Sequence, residues 1–167
     1  MQLVLKDFKR FEKQIILKNV GLVGQKKILN AKVLIIGIGG LGCPLLTYLA
    51  ASGVGTIGIA DPDKVEISNL NRQTLFSTND IGKYKVDQAK LSINRINKKI
   101  RIKIFKRKIT SKNIKSVIKD FDIICDGTDN FETRYLINDE CKKLKKILIS
   151  AAISKFDGHL YLSLIHI

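Results

Sequence analysis

The sequence has no Trp, only 2 Pro, 1 Met and 3 Cys among its 167 residues, and each scarcity removes a class of explanation. Cysteines at positions 43, 125 and 141, with no CxxC spacing, give neither a disulfide framework nor a zinc site in this stretch. Few prolines beside 45% hydrophobic residues is not the composition of a disordered segment or a stapled mini-protein. Long apolar runs are missing as well. The longest uncharged stretch, between Lys32 and Asp61, is broken by Gly37, Gly39, Gly40, Gly42, Pro44 and Gly53, which argues against a membrane span. The opening MQLVLKDFKR follows a few apolar residues at once with charge, unlike a signal peptide, so the expected location is the cytoplasm.

Arginine and aromatic residues are also in short supply. Lys outnumbers Arg 24 to 6 and aromatics make up 7% of the chain, so the net charge of +15 lacks the arginines and interleaved rings that nucleic-acid surfaces use. The excess is regional. Residues 83–120 hold fourteen basic residues against two acidic ones, while residues 121–167 hold six against seven. A chain-wide lysine bias accounts for most of this, and nucleic acid is not an expected partner. A basic face for an acidic protein is the minority reading.

What the sequence does contain is an alternation. Phe8, Phe11, Ile15 and Ile16 fall at helical spacing and predict a helical segment over 1–30, with a second short piece ending near Leu29. Residues 31–167 then read as strand KVLIIG, helix LGCPLLTYLAASG, strand TIGIAD, a helix over 84–97, strand RIKIFK, a helix over 111–119, strand FDIICD, a helix over 130–144 and strand KILISA. This series predicts an α/β, Rossmann-like, mostly parallel sheet with helices on both faces. The polar stretch from Pro62 to Lys85 is long for a plain connection. The closing run LYLSLIHI is strand-like and stops without a turn or cap, which predicts an exposed edge.

Gly37-Ile38-Gly39-Gly40-Leu41-Gly42 is GxGxxG, set after a strand and opening a helix, the context in which that motif means nucleotide binding. The glycines let backbone approach phosphate, and the helix N-terminus favours an anion. Asp61 closes the next strand, where an acid accepts from ribose hydroxyls. These features alone fit any adenine nucleotide, and the default is an NAD-dependent oxidoreductase. Asn69, Asn71, Arg72, Gln73 and Lys85 argue for another ligand, because a triphosphate about to lose pyrophosphate needs its charge neutralised by Arg forks and a Lys. Asp129, in DGTDN after the strand FDIICD, stands at the carboxyl edge of the sheet and is placed to hold Mg²⁺. Asp126 or Asn130 alternatively caps the helix that begins near 130.

In order and spacing, the segments RFEKQIIL, GxxGQKKIL, VLIIGIGGLGCP, LAASGVGTIGIADPDKVEISNLNRQTLF, IGKYKVDQAK and CDGTDNFETR resemble the MoeB/ThiF family, bacterial relatives of ubiquitin-activating enzymes. The resemblance covers nearly the whole chain. It implies a homodimeric adenylyltransferase that uses MgATP to activate the C-terminal glycine carboxylate of a ubiquitin-like sulfur carrier, of molybdopterin or thiamine biosynthesis, releasing pyrophosphate. Carried over by motif, Gly40 belongs to the nucleotide loop and Asp61 to the ribose. Asn69, Arg72 and Lys85 belong to the phosphates, and Asp129 to Mg²⁺ with Asn130 beside it. Asp63, Ser68, Leu70, Asn71 and Gln73 come with the same loop, and Arg72, Lys85 and Asp129 are the residues expected to carry the chemistry. A tRNA-nucleoside dehydratase of the same family and a nucleotide-binding fragment without activity are the further alternatives.

Two departures stand out. The family's N-terminal RYxRQ reads Arg10-Phe11-Glu12-Lys13-Gln14 here. Lys13 thus replaces an arginine thought to reach the neighbouring subunit's ATP, and either it substitutes or Arg10 shifts in. The family's two CxxC pairs for Zn²⁺ and the strands that cradle the carrier do not follow, so the chain is expected to be truncated before them. Cys43 is expected to pack against the nucleotide loop, Cys125 and Cys141 to be inert, and His159 and His166 to have no role.

Overall fold

The computed structural model describes residues 5–163. Two helices come first, α1 (Leu5–Ile15) and α2 (Gly21–Asn30), followed by β1 (Lys32–Ile36), α3 (Gly42–Ser52) and β2 (Thr56–Ala60). After a long connection come α4 (Lys85–Ile96), β3 (Arg101–Phe105), α5 (Ile114–Ile118), β4 (Ile123–Asp126), α6 (Phe131–Lys143), β5 (Ile147–Ser154) and β6 (Asp157–Leu162). The strands form one sheet in the order β3-β2-β1-β4-β5-β6. The first five are parallel and β6 runs antiparallel to β5. A strand's period of two splits the core. Val33, Ile35, Ile57 and Ile59 face α3 and α4, whereas Leu34, Ile36, Ile124 and Leu148 face α5 and α6. The expected α/β sheet with helices on both faces is the fold observed, and among the described residues no helix is long and apolar enough to cross a membrane.

α1 and α2 close the amino ends of the strands. Phe11 is buried, and its ring fills the space above Gly53, where an added Cβ would stand 2.5 Å from it. Gly53, at φ +90, ends α3 in the left-handed conformation that favours glycine. Gln14 and Gln25 both donate to the Ser52 carbonyl, at 3.4 and 3.1 Å, and Arg10 donates to the Ile96 carbonyl at the end of α4. These bonds satisfy carbonyls that helix ends leave unpaired.

Two elements differ from the sequence pattern. α5 is shorter than the expected 111–119, because the Asn113 side chain accepts from Thr110 N at 3.0 Å and donates to Lys108 O at 2.8 Å, holding a turn where the helix was to begin. The final run is a strand only through Leu162, paired with β5 as a hairpin edge whose residues are all exposed. Residues 164–167, including His166, lie outside the described residues.

Candidate functional site

The chain leaves β1 toward β2 and β3 on one side and returns to β4 on the other, so the carboxyl ends of β1 and β4 flank the crevice where open α/β sheets bind ligands. Ile36 and Asp126 are register partners there. The glycine motif follows β1, and its four glycines divide into two pairs. Gly37 has φ +91, and a Cβ on it would lie 3.0 Å from Gly127 O. A Cβ on Gly42 would lie 2.0 Å from Gly37 O. Those two let the loop close on itself. Gly39 and Gly40 instead leave room, with Gln73 Nε2 at 3.9 Å from the one position and the Arg72 stem at 3.5 Å from the other.

Asp61 sits beneath this loop at 5% exposure. Its carboxylate accepts from Ile38 N at 2.7 Å and from Asp63 N at 2.8 Å, so it braces the glycine loop. Burial pushes its pKa up, against the pull of those two N–H groups and of the Lys85 charge. The carboxylate at the surface is Asp63, whose side chain is 62% exposed and pairs with Lys85 Nζ at 3.1 Å. Lys85 is the first residue of α4 and is itself buried. Its backbone N–H donates to Asp63 O at 3.0 Å, so main chain and side chain both tie α4 to the start of the long connection.

That connection is ordered by two single 3-10 turns, Ile67–Asn69 and Thr78–Asp80. Asn69 is buried, and its Oδ1 accepts from Glu66 N at 3.2 Å. The Asn69 carbonyl receives the N–H groups of Arg72 and Gln73, at 3.1 and 2.9 Å. The turn directs Arg72 over Gly40, with its guanidinium exposed and donating to Ser68 O at 3.0 Å and Asn71 Oδ1 at 3.1 Å. Leu70 packs on the core beneath. Gln73 is buried, and its Oε1 has no partner among the described residues.

On the β4 side, Asp126 is buried and both of its oxygens are engaged. Thr128 N and Oγ1 donate to Oδ1 at 2.9 and 2.7 Å, and Ser150 Oγ donates to Oδ2 at 2.8 Å. Asp126 therefore does not cap α6. Asn130 does, accepting from Thr133 N at 2.9 Å. Asp129 is exposed and begins two residues after Gly127, which touches Gly37.

The glycine loop, Arg72, Lys85, Asp63 and Asp129 are thus gathered at one edge of the sheet. Lys13 is not. It is exposed on α1 at the amino ends, about one α3 length, roughly 16 Å, from the loop, and Arg10 is held on Ile96. Cys43 lies under the motif with Sγ 3.7 Å from Ile38 O, as a small packing residue. Burial pushes the thiols of Cys43 and Cys125 up to about 11 and that of Cys141 up to about 12. The three stand on α3, β4 and α6, and no metal-binding group of three or more His, Cys, Asp or Glu occurs among the described residues. His159 stacks on Tyr161 on the exposed β6, away from the site. Missed by the sequence reading is Arg134, which donates to Ser150 Oγ, Ala151 O and Thr128 O. Its only signal is its place in FETR, one turn into α6.

Such an edge offers the exposed Arg72 guanidinium and the buried, Asp63-paired Lys85 beside an accessible backbone loop, with Asp129 unengaged among the described residues, an arrangement fit to hold a polyphosphate and neutralise charge on it. The pattern of the ThiF family matches residues 11–165. A probable molybdopterin-synthase adenylyltransferase of Porphyra purpurea is 47% identical over 154 residues, 92% of this chain and 40% of that protein. A sulfur carrier protein adenylyltransferase of Thermus thermophilus is 40% identical over 95% of this chain and 58% of its own length. The E. coli tRNA N6-threonylcarbamoyladenosine dehydratase TcdA superposes with a TM-score of 0.85 at 23% identity, covering 90% of this chain and 62% of that one. The chain therefore spans about half the length of the relatives it matches.

Proposed function

The chain belongs to the ThiF family, and from that premise we propose that it is the nucleotide-binding part of an adenylyltransferase acting on a ubiquitin-like sulfur carrier, of molybdopterin or thiamine biosynthesis. The observation that carries the reading is the placement of Arg72 over Gly40 with Lys85 and Asp129 at the same sheet edge. The carrier's C-terminal carboxylate attacks the α-phosphorus of ATP. A carboxylate oxygen to phosphorus bond forms, the bond from that phosphorus to the bridging oxygen breaks, and pyrophosphate leaves with the electron pair. The nucleophile is already ionised, so no protein base is needed. This chain supplies position and charge. The glycine loop lets backbone approach phosphate, the Arg72 fork and Lys85 neutralise negative charge, and Asp63, the exposed acid, suits the ribose hydroxyls better than Asp61, whose carboxylate already receives two backbone N–H groups.

Mg²⁺ fits this edge in one way only. Asp126 is fully engaged, so Asp129 is the carboxylate free to hold it, and a cation with one protein ligand and the rest from phosphates and water is how Mg²⁺ usually binds. When bound it neutralises the leaving phosphates. Zn²⁺ does not fit the chain's own residues, since the three cysteines are buried and apart. A homodimer is part of the proposal. Lys13 and its own glycine loop lie at opposite ends of the sheet, so Lys13 contributes to a nucleotide only in a partner's site. Three free buried thiols suit the cytoplasm. The likeness to the tRNA enzyme, at 23% identity, carries the fold alone and gives that reading no weight. Carrier-dependent exchange of labelled pyrophosphate into ATP, measured on a full-length version of the protein, tests the proposal. Exchange is expected with a sulfur carrier and is lost in Lys85→Ala; no exchange with either type of carrier overturns it.

A further inference from the structure

Arg134 is half-buried on α6 and reaches three acceptors on two other elements. Its guanidinium donates to Ser150 Oγ at 3.3 Å and Ala151 O at 2.7 Å on β5, and to Thr128 O in the loop after β4. Ser150 passes the connection on, donating to Asp126 Oδ2 at 2.8 Å, while Thr128 returns it by donating N–H and Oγ1 to Asp126 Oδ1 at 2.9 and 2.7 Å. Asp126, Thr128, Arg134 and Ser150 therefore form a closed ring of hydrogen bonds. Arg134 and Asp126 carry opposite charges within it, yet they meet only through the hydroxyl of Ser150 and through Thr128. Buried polar groups satisfied in this manner fix a single arrangement of the chain.

From this ring we infer that Arg134 is the positioning residue for the Asp129 carboxylate. The loop that carries Asp129 has few other restraints. Gly127 N–H donates to Ile36 O at 2.9 Å at one end, and Asn130 caps α6 at the other. Between them, among the described residues, the Thr128 links to Asp126 and Arg134 hold the backbone. Arg134 thereby sets where Asp129 stands relative to the glycine loop. Three acceptors, two on β5 and one in the loop after β4, call for a planar fork, which a lysine lacks. The inference rests on the proposed nucleotide site for its functional meaning and on the ring itself for its structural one.

Amide hydrogen exchange and nucleotide titration on the 167-residue chain separate the two. In Arg134→Gln, the amides of Thr128 and Asp129 are expected to exchange about tenfold faster or more, with Ile35 and Ile59 unchanged, because local opening is distinct from global unfolding. The gain in ATP affinity given by Mg²⁺ is expected to shrink about tenfold, a change near one pKd unit, while affinity for metal-free ATP stays within about twofold. Arg134→Lys is expected not to restore either. Ser150→Ala removes one link with little bulk and serves if Arg134→Gln does not fold. Unchanged exchange at Thr128 and Asp129, or an equal loss of both forms of ATP, overturns the inference. Should the unaltered chain bind no nucleotide, the proposed function fails, and the exchange rates still decide whether Arg134 holds the loop.

Discussion

At the amino ends of the strands Gly53 receives the ring of Phe11, while at the carboxyl ends Gly39 and Gly40 meet only the amide of Gln73 and the stem of Arg72. Both ends use glycine to bring groups close. At the amino end the guest is apolar, buried and final, and the polar side chains around it, Arg10, Gln14 and Gln25, are spent on helix carbonyls. At the carboxyl end the backbone turns and Asp61 hold the loop from below, so Arg72 and Asp129 reach outward. The difference shows where a ligand can act: the carboxyl end sets charged groups over a glycine loop that leaves room beside it, whereas at the amino end the glycine is filled by Phe11.

Gly42 is the most sensitive of these positions. An alanine there puts Cβ 2.0 Å from the Gly37 carbonyl, which cannot retreat because Gly37 is packed on Gly127. Gly42→Ala is expected to lose about 3 kcal/mol in denaturant unfolding. In Gly40→Ala the nearest atoms belong to the flexible Arg72 stem at 3.5 Å, and stability is expected to stay within about 1 kcal/mol. Equal losses would contradict the division of the glycines. Next in size is Arg72→Ala. Among the described residues its exposed guanidinium bonds its own turn, so the melting temperature is expected to stay within about 2 °C of the parent, a change below about 0.5 kcal/mol, while ATP affinity falls at least about tenfold.

Acid titration gives a smaller effect at Asp61. Its carboxyl is raised by burial above the ordinary 3.8. As pH rises past 3.8 the unfolded chain loses this proton first, so the folded state then binds more protons and stability from this group declines with pH. The stability of the parent minus that of Asp61→Asn is expected to be largest in acid and to shrink as pH rises from about 4. A difference that grows with pH would show that the N–H groups of Ile38 and Asp63 outweigh burial. The smallest effects belong to the amino end and the thiols. Lys13→Ala is expected to leave stability within about 0.5 kcal/mol and to leave nucleotide affinity of the monomer unchanged. With pKa values at about 11 and 12, all three cysteines are expected to resist a disulfide reagent at pH 7 until denaturant is added. Fast modification of Cys43 in the native protein would contradict its packing role.

Much of the fold is legible in the residues themselves. KVLIIG, TIGIAD, RIKIFK and FDIICD each contain the strand observed, and KILISA holds the start of β5, which runs on to Ser154, because continuous β-branched runs bounded by Gly and polar residues have few other uses. The direction of β6 was not legible, since a two-residue hairpin through Lys155 and Phe156 follows no Gly or Asn signal; Lys155 takes φ 54 as a non-glycine. At the site, the glycine motif and the polar turn announced themselves by spacing. Which acid faces out did not. Asp61 and Asp63 are two residues apart in a turn, and only the bonds from Ile38 and Asp63 N–H decide that the first is a brace. Arg134 escaped for a related reason: its acceptors on β5 lie 16 and 17 residues away, and nothing local marks a side chain that ties a loop to a strand.

The central claim is that the carboxyl edge binds a nucleoside triphosphate through Arg72 and Lys85. Calorimetric titration of the chain with MgATP and, separately, with NADH tests it most directly. Saturable MgATP binding is expected, tighter than NADH and weakened at least about tenfold in both Arg72→Ala and Lys85→Ala. Tighter binding of NADH, or MgATP binding undiminished in Lys85→Ala, would contradict it.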